Sequence, residues 1–349
     1  MEKGKNPLSL QLDVSDFLPA DNEEKQSLVV MRQSVSFWRD GLRRFKKNKI
    51  AMTSLIVIIA TMLFAFVGPV FYPYSYEQQI RGSENLAPMQ YSDQELALKA
   101  QGEKVFPHIL GTDSLGRDTM VRLMMGSRVS LLVGIVASVL VLLIGSVYGA
   151  IAGYFGGKVD LIMMRIVDII YTVPDILIII LLMVTLKFPL ENLANSVPAF
   201  SWINTIGVGL ICIFIVFSLL YWVGMARIVR SQILMLKEQE FVTAAKALGA
   251  SHGRIIKKHL LTNCMGTLIV TTTLQIPSSI FTESFLSFIG IGVAAPMPSL
   301  GSMASQAISG ISSYPYRLLA PAIMISLIIL SFNLIGDGLR DAFDPKLKD

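Results

Sequence analysis

Gly156-Gly157-Lys158 is the nearest approach in this sequence to a phosphate-cradling loop, and its spacing fails. Such a loop reads G-x-x-x-x-G-K-[S/T], because backbone N–H groups and a lysine must hold the phosphates. Here Ala152 stands where the upstream glycine belongs and Val159 where the hydroxyl belongs. Any nucleotide that drives this protein must therefore be bound by another chain. The three histidines, His108, His252 and His259, have no metal-ligand spacing and support no general-base constellation. No Ser/His/Asp set or paired-carboxylate cleft is apparent either. What remains are carboxylates within apolar segments, Asp168, Asp175 and Glu283. A carboxylate at membrane depth is expensive unless it has a partner or lines a polar cavity. Arg165, three residues before Asp168, shares its helix face, which favours a structural ion pair over a proton relay. Glu283 is a candidate to line a path across the membrane. No catalytic, cofactor-binding or metal-binding residue is predicted.

The elements that must position these residues are membrane spans. Of the 349 residues, 53% are hydrophobic and 16% charged, with mean hydropathy +0.59; soluble domains carry about a quarter charged residues. No charge falls between Lys49 and Glu77, Arg128 and Lys158, or Glu191 and Arg227, and each gap holds the ~20 residues a spanning helix needs. The net charge of +5 does not argue for nucleic acid, because many basic residues flank apolar segments, as on the cytoplasmic side of membrane helices. Cys212 and Cys264 sit in or beside apolar runs and read as small buried hydrophobes with no disulfide framework. Residues 1–33 are polar with no early apolar run, so the first span reads as an uncleaved anchor, not a signal peptide.

Val35, Trp38, Leu42 and Phe45 recur at helical spacing among Arg39, Arg43, Arg44, Lys46 and Lys47, which predicts an amphipathic helix lying along the cytoplasmic leaflet. Spans are expected near 50–71, 129–153, 161–186, 205–224, 265–289 and 318–336. Gly145, Gly149 and Gly153 form a small-residue face on the second, suited to close approach of another helix. The Gly- and Pro-rich stretch between the last two spans reads as a loop or re-entrant segment. GTDSLGRDT reads as a capped turn, with Asp113 or Ser114 accepting backbone bonds, Gly116 making the turn and Arg117 pairing with Asp118 or a neighbour. Past the last span, Arg340 and Asp344 are spaced to pair.

Basic residues orient the chain. Arg39, Arg43, Arg44, Lys46, Lys47 and Lys49 precede the first span, seven basic residues lie in 225–263, and Arg340, Lys346 and Lys348 lie in the tail. The two short opposite loops hold one each, Lys187 and Arg317. Both termini are therefore expected in the cytoplasm. The organisation is a polar tail over 1–33, an amphipathic helix over 34–49, a span over 50–72, an extracytoplasmic loop over 73–127, a five-helix core over 128–338 containing a cytoplasmic loop over 225–263, and a tail over 339–349.

Within that loop, Phe241, Ala244, Ala245 and Leu248 share one small-residue face. Gly249 breaks the helix and Ser251 is placed to cap a second one. A helix, turn and helix with so little side chain suits insertion into a groove of another protein.

The pattern..AA...G.S...I...HLL.N resembles the EAA loop of ATP-binding cassette importer permeases. LGTDSLGRDTMVRLMMGSRVSL (110–131), ESFLSFIGIGVAAPMPSLGSM (283–303) and NLIGDGLRDAFDP (333–345) resemble the C-type permease subunit of the oligopeptide/dipeptide importers. The resemblance covers roughly 35–345. It implies an all-α membrane protein of the type I importer permease fold, with six transmembrane helices, an N-terminal elbow helix and a cytoplasmic coupling helix, in the bacterial cell membrane. It implies coupling to ATPase subunits through Glu240, Thr243, Ala244, Ala245, Gly249, Ala250 and Ser251. Its implied partners are a homologous second permease, two ATPase subunits that bind ATP and magnesium, an extracytoplasmic peptide-binding protein, peptide and membrane lipid. Two residues depart from the pattern: Thr243 replaces the glutamate that names the motif, and Thr262 replaces the proline before the closing Asn263. Glu240, three residues before Thr243 on roughly the same face, offers a substitute carboxylate. Alternative readings are a permease for nickel or another small solute, an ion-coupled transporter using Asp168, Asp175 and Glu283, and a membrane scaffold. The ion-coupled reading needs internal repeats and broken helices at mid-membrane, and the sequence shows no convincing repeat.

Overall fold

A computed structural model describes residues 36–293 and 295–343. The 1–33 tail, Val35 of the amphipathic stripe and Asp344 lie outside the described residues. The described chain is helical apart from turns and one isolated bridge, Thr112 to Asp118. In order, the helices used below are α1 (Phe37–Lys47), α2 (Lys49–Phe66), α3 (Asp93–Ala100), α4 (Thr119–Phe155), α5 (Gly157–Thr172), α6 (Asp175–Ser196), α7 (Val208–Leu220), α8 (Trp222–Leu236), α9 (Glu240–Ala247), α10 (Met265–Phe288), α11 (Leu300–Ile308) and α12 (Tyr316–Phe343). With no water in a bilayer core, closing backbone hydrogen bonds inside each helix is what such a chain must do.

Five segments are long and apolar enough to cross a membrane, or six when α10 is counted with the bent segment before it. The expected number of spans agrees, but two differ in extent. The third expected span, 161–186, is two helices broken at Val173-Pro174, since proline disfavours helix in the residue before it; the spanning piece is α6. The fourth belongs to a helical run that continues through Tyr221 into α8 as far as Leu236. Two carboxylates allow this extension. Asp168 on α5 receives Arg227 at 2.9 Å and Asp160 receives Arg230, so both arginines of α8 are paired. The expected Arg165–Asp168 pair is thereby replaced: α8 packs beside α5 and its guanidinium reaches Asp168 across the helix contact.

At the N-terminus, Asn48 ends α1 and caps α2, accepting from the N–H groups of Ile50 and Ala51 at 3.1 Å. The expected stripe on α1 divides: Phe45 is buried in the bundle, while Trp38 and Leu42 stay half exposed. Trp38 meets Phe343 of α12 edge to face at 5.9 Å. At the same end of α12, Arg340 lies 4.0 Å from Asp337, the partner seen among the described residues in place of Asp344.

The glycine ridge on α4 packs as expected. All three glycines are buried, and a Cβ on Gly145 would stand 2.6 Å from the Cβ of Met225, one on Gly153 2.9 Å from the carbonyl of Arg230. Gly149 faces the Ala226 carbonyl and Val229. The backbone of α8 thus lies directly on α4. Gly149→Val is expected to overpack this seam by about 1–3 kcal/mol, lowering the melting temperature of the purified protein, whereas Gly224→Ala, with nothing within 4 Å, leaves it unchanged.

Candidate functional site

Between α8 and α10 the chain folds into α9, a turn, and a bent helical segment over 252–263 that includes a π-helical stretch, Ile255–Leu260. This segment meets α10 at 69°. Gly249 has φ +78°, and its N–H bonds to the Lys246 carbonyl at 2.9 Å while the Ala250 N–H bonds to that of Ala245 at 3.0 Å. Together these bonds form a Schellman ending, which favours glycine at this position. Ser251 occupies the expected N-cap position, but its side chain makes no cap bond; only its carbonyl, accepting from Ile255, serves the next turn.

The face that α9 turns toward its own protein includes one residue of the small-residue stripe, Ala245. Val242 and Ala245 are the buried residues, at 0% and 8% exposure, and the spacing analysis did not single out Val242. They pack with Ile255, Leu260, Cys264, Ile233 and Tyr154 at the junction of α4, α8 and α10. Fully burying side chains such as Val242, Ile255 and Leu260 contributes about 1.5–3 kcal/mol each when water is what they leave. Polar contacts add to the clamp: Tyr154 Oη is 2.7 Å from His252 Nδ1, and Lys237 Nζ donates to the Gly153 carbonyl at 3.1 Å. Ala245 therefore belongs to the anchoring side, whereas Glu240, Phe241, Thr243, Ala244, Leu248, Gly249 and Ser251 are exposed and Ala250 is partly so. Leu248 is 89% exposed. Phe241, Ala244 and Leu248 form an outward apolar stripe with Glu240 and Thr243 beside it.

A second feature is a groove of about 590 Å³ at the Pro174 break. Tyr171, Asp175, Tyr221, Gln275 and Ser278 give it polar walls from α5, α6, the α7–α8 junction and α10. Asp175, the first residue of α6, is exposed into this region. Glu283 is elsewhere. It is fully buried, accepting hydrogen bonds from Ser130 on α4 at 2.7 Å and from Ser287 on its own helix at 2.7 Å. The Ser287 hydroxyl in turn accepts from the Val293 N–H at 3.0 Å. The carboxylate expected to line a path is instead a fastening between α4, α10 and the chain that follows.

The long loop between α2 and α4 holds a cluster of which the sequence reveals only the capped turn. Asp113 accepts from the N–H groups of Leu115 and Arg117 and from Arg117 Nε at 2.7 Å, so Arg117 pairs with Asp113, not with Asp118. Asp118 caps α4 through the Val121 N–H and accepts from His108 Nδ1 at 2.7 Å. His108 is completely buried; its Nε2 is 3.0 Å from Glu95, and Tyr74 stacks on its ring at 4.4 Å. Tyr72 also donates to Asp118. Burial lowers the His108 pKa, but the hydrogen bond and charge of Asp118, then those of Glu95, outweigh it and the net direction is up. Tyr74 is pushed up to about 12 by burial and the same carboxylates. A neutral imidazole would turn a lone pair toward one carboxylate. The stabilisation from protonated His108 is complete below the ordinary value of 6.5 and is lost as pH rises through the raised folded value. Protease resistance of this loop is expected to fall with rising pH through that range, and His108→Gln should flatten the profile.

Comparison with known proteins places this architecture. Residues 145–349 match the model of the binding-protein-dependent transport system inner membrane component, and residues 36–88 match that of the N-terminal TM domain of oligopeptide transport permease C. An oligopeptide transport system permease protein of Bacillus subtilis is 42% identical over 332 residues, covering 95% of this chain and 97% of the relative. A dipeptide transport system permease protein of the same bacterium is 42% identical over 330 residues, with 94% and 92% covered. The oligopeptide transport system permease protein of Escherichia coli K12 is 37% identical over 311 residues, with 89% and 92% covered. The chain belongs to the binding-protein-dependent transport system inner membrane component family, in its permease C branch.

Proposed function

We propose that this protein is a transmembrane permease subunit of an ATP-driven oligopeptide or dipeptide importer in the bacterial plasma membrane. The observation that carries the reading is the 42% identity, over nearly the whole chain, to permeases of oligopeptide and dipeptide transport. A homologous second permease completes the pore. Two ATPase subunits bind ATP and magnesium, which this chain has no phosphate loop to hold, and an extracytoplasmic binding protein delivers peptide. In support of a second permease, α6 is an apolar helix with only 11% of its most apolar window buried in this chain. The groove at Pro174 beside it is this chain's contribution to the path.

The basic flanks support a cytoplasmic position for α1, for the 225–263 loop and for both termini. Trp38 and Leu42, half exposed beside Arg39, Arg43 and Lys46, suit α1 to the lipid interface as an elbow. α9 is the coupling helix. Its stripe of Phe241, Ala244 and Leu248 enters a groove on an ATPase subunit, with Glu240 standing in for the carboxylate that Thr243 lacks. The inward residues Val242 and Ala245 fix α9 to the ends of α4, α8 and α10, so displacement of α9 moves those helices as a body. ATP-driven closure of the ATPase pair then shifts the permease between its two access states.

The decisive assay is uptake of labelled peptide into proteoliposomes holding the whole transporter. ATP should drive uptake, and an ion gradient without ATP should not. Leu248→Asp and Phe241→Asp change side chains that this chain does not bury, so insertion and thermal stability should persist while ATP-driven uptake falls tenfold or more, about 1.4 kcal/mol or greater in coupling. Ala245→Glu should instead destabilise the junction itself. Normal uptake in both exposed-site variants would overturn the docking role of this stripe.

A further inference from the structure

Where the beginning of α4 meets α11 and the beginning of α12, a cavity of about 20 Å³ remains. Asp113, together with Thr119 and Arg122 of α4, Gln306 of α11 and Arg317 of α12, supplies polar walls, Asp113 being the single carboxylate among them. Arg122 is 2% exposed and Thr119 4%. The Arg122 guanidinium uses Nη2 to donate to Gln306 Oε1 at 3.1 Å, and its Nε lies 3.5 Å from Asp113. Its Nη1 and the Thr119 hydroxyl have no hydrogen-bond partner among the described residues. Buried polar groups are seldom left in this state, and a buried guanidinium least of all. Both atoms can donate, so what they need is an acceptor.

Charge narrows its nature. Arg117, Arg122 and Arg317 converge here, and the carboxylate within reach is Asp113, already bonded to Arg117 Nε at 2.7 Å. Arg117 also donates to Gln306, and Arg317 is committed to Asn85 at 2.7 Å, a neutral acceptor. The nearby Asp118 is taken by His108 and the Val121 N–H. Three guanidiniums therefore face one carboxylate in a buried cluster, where an uncompensated charge is costly. Volume narrows it further. The space of about 20 Å³ admits a water-sized particle, which favours a compact, spherical occupant.

We propose that this cavity is a binding site for one small monovalent anion of halide size, with chloride the natural occupant, held by Arg122 Nη1 and Thr119 Oγ1. The anion ties the N-terminal turn of α4 to α11 and α12, fastening the outer cap on the bundle. The site is independent of which solute the protein carries.

The test uses the intact transporter, purified with its partner subunits and melted in sodium chloride, sodium bromide, sodium gluconate and sodium sulfate at equal ionic strength. Chloride and bromide should raise the melting temperature by several degrees in a saturable way, and gluconate and sulfate should not. Thr119→Val retains the shape and removes a donor, and Arg122→Gln removes the charge; in both, chloride and gluconate curves should coincide. Crystals grown in bromide should show an anomalous peak between residues 119 and 122. A wild-type melting temperature indifferent to the halide would overturn the site and leave water as its occupant. So would an unchanged chloride response in a folded Thr119→Val protein, or bromide crystals without the peak.

Discussion

Backbone-to-backbone contact between α4 and α8 is the constraint on which the rest of the molecule depends. It exists because Gly145, Gly149 and Gly153 present no side chain on one ridge, so that Met225, Ala226, Val229 and Ile233 settle against the helix itself. In a bilayer, lipid tails are as apolar as any side chain, and helices associate through close packing and hydrogen bonds. The seam fixes where α8 ends, and with it the position of α9. Lys237 bonds back to the Gly153 carbonyl at the end of the seam, and Arg227 and Arg230 are drawn onto the carboxylates of α5. Helices joined this way move together or not at all.

Polar fastenings recur at places where packing alone gives little selectivity. Glu283 is held by Ser130, 153 residues away in sequence, and by Ser287, which also holds the chain leaving α10. Asp118 begins α4 and at the same time closes the loop over His108. Each carboxylate joins two or three elements and fixes their register. Such groups are costly to bury, and each is therefore surrounded by donors.

Much of this was legible in the sequence. The charge-free gaps reveal the spans, the glycine spacing reveals the seam, and Gly249 reveals the end of α9, because each depends on local chemistry that a short window contains. The misplacements share a cause. The helical run past 224 through Arg227 and Arg230 is hidden in the sequence, since their partners Asp168 and Asp160 lie on another helix. Period alone identifies the stripes of α9 without saying which one meets the protein's own core, so it groups Ala245 with Phe241, Ala244 and Leu248 and passes over Val242. His108, Glu95 and Asp118 are spread along a polar loop, and no spacing rule connects them. Glu283 looked like a lining residue because serines from two helices cannot be seen converging on it in one dimension.

The outward stripe of α9 also has a meaning for the fate of single copies. Leu248, almost wholly exposed, is out of place in water, and its exposure is tolerable only where another surface covers it. A copy of the chain by itself carries that stripe bare at the end of a short helix on a glycine turn, the kind of surface through which unassembled copies aggregate.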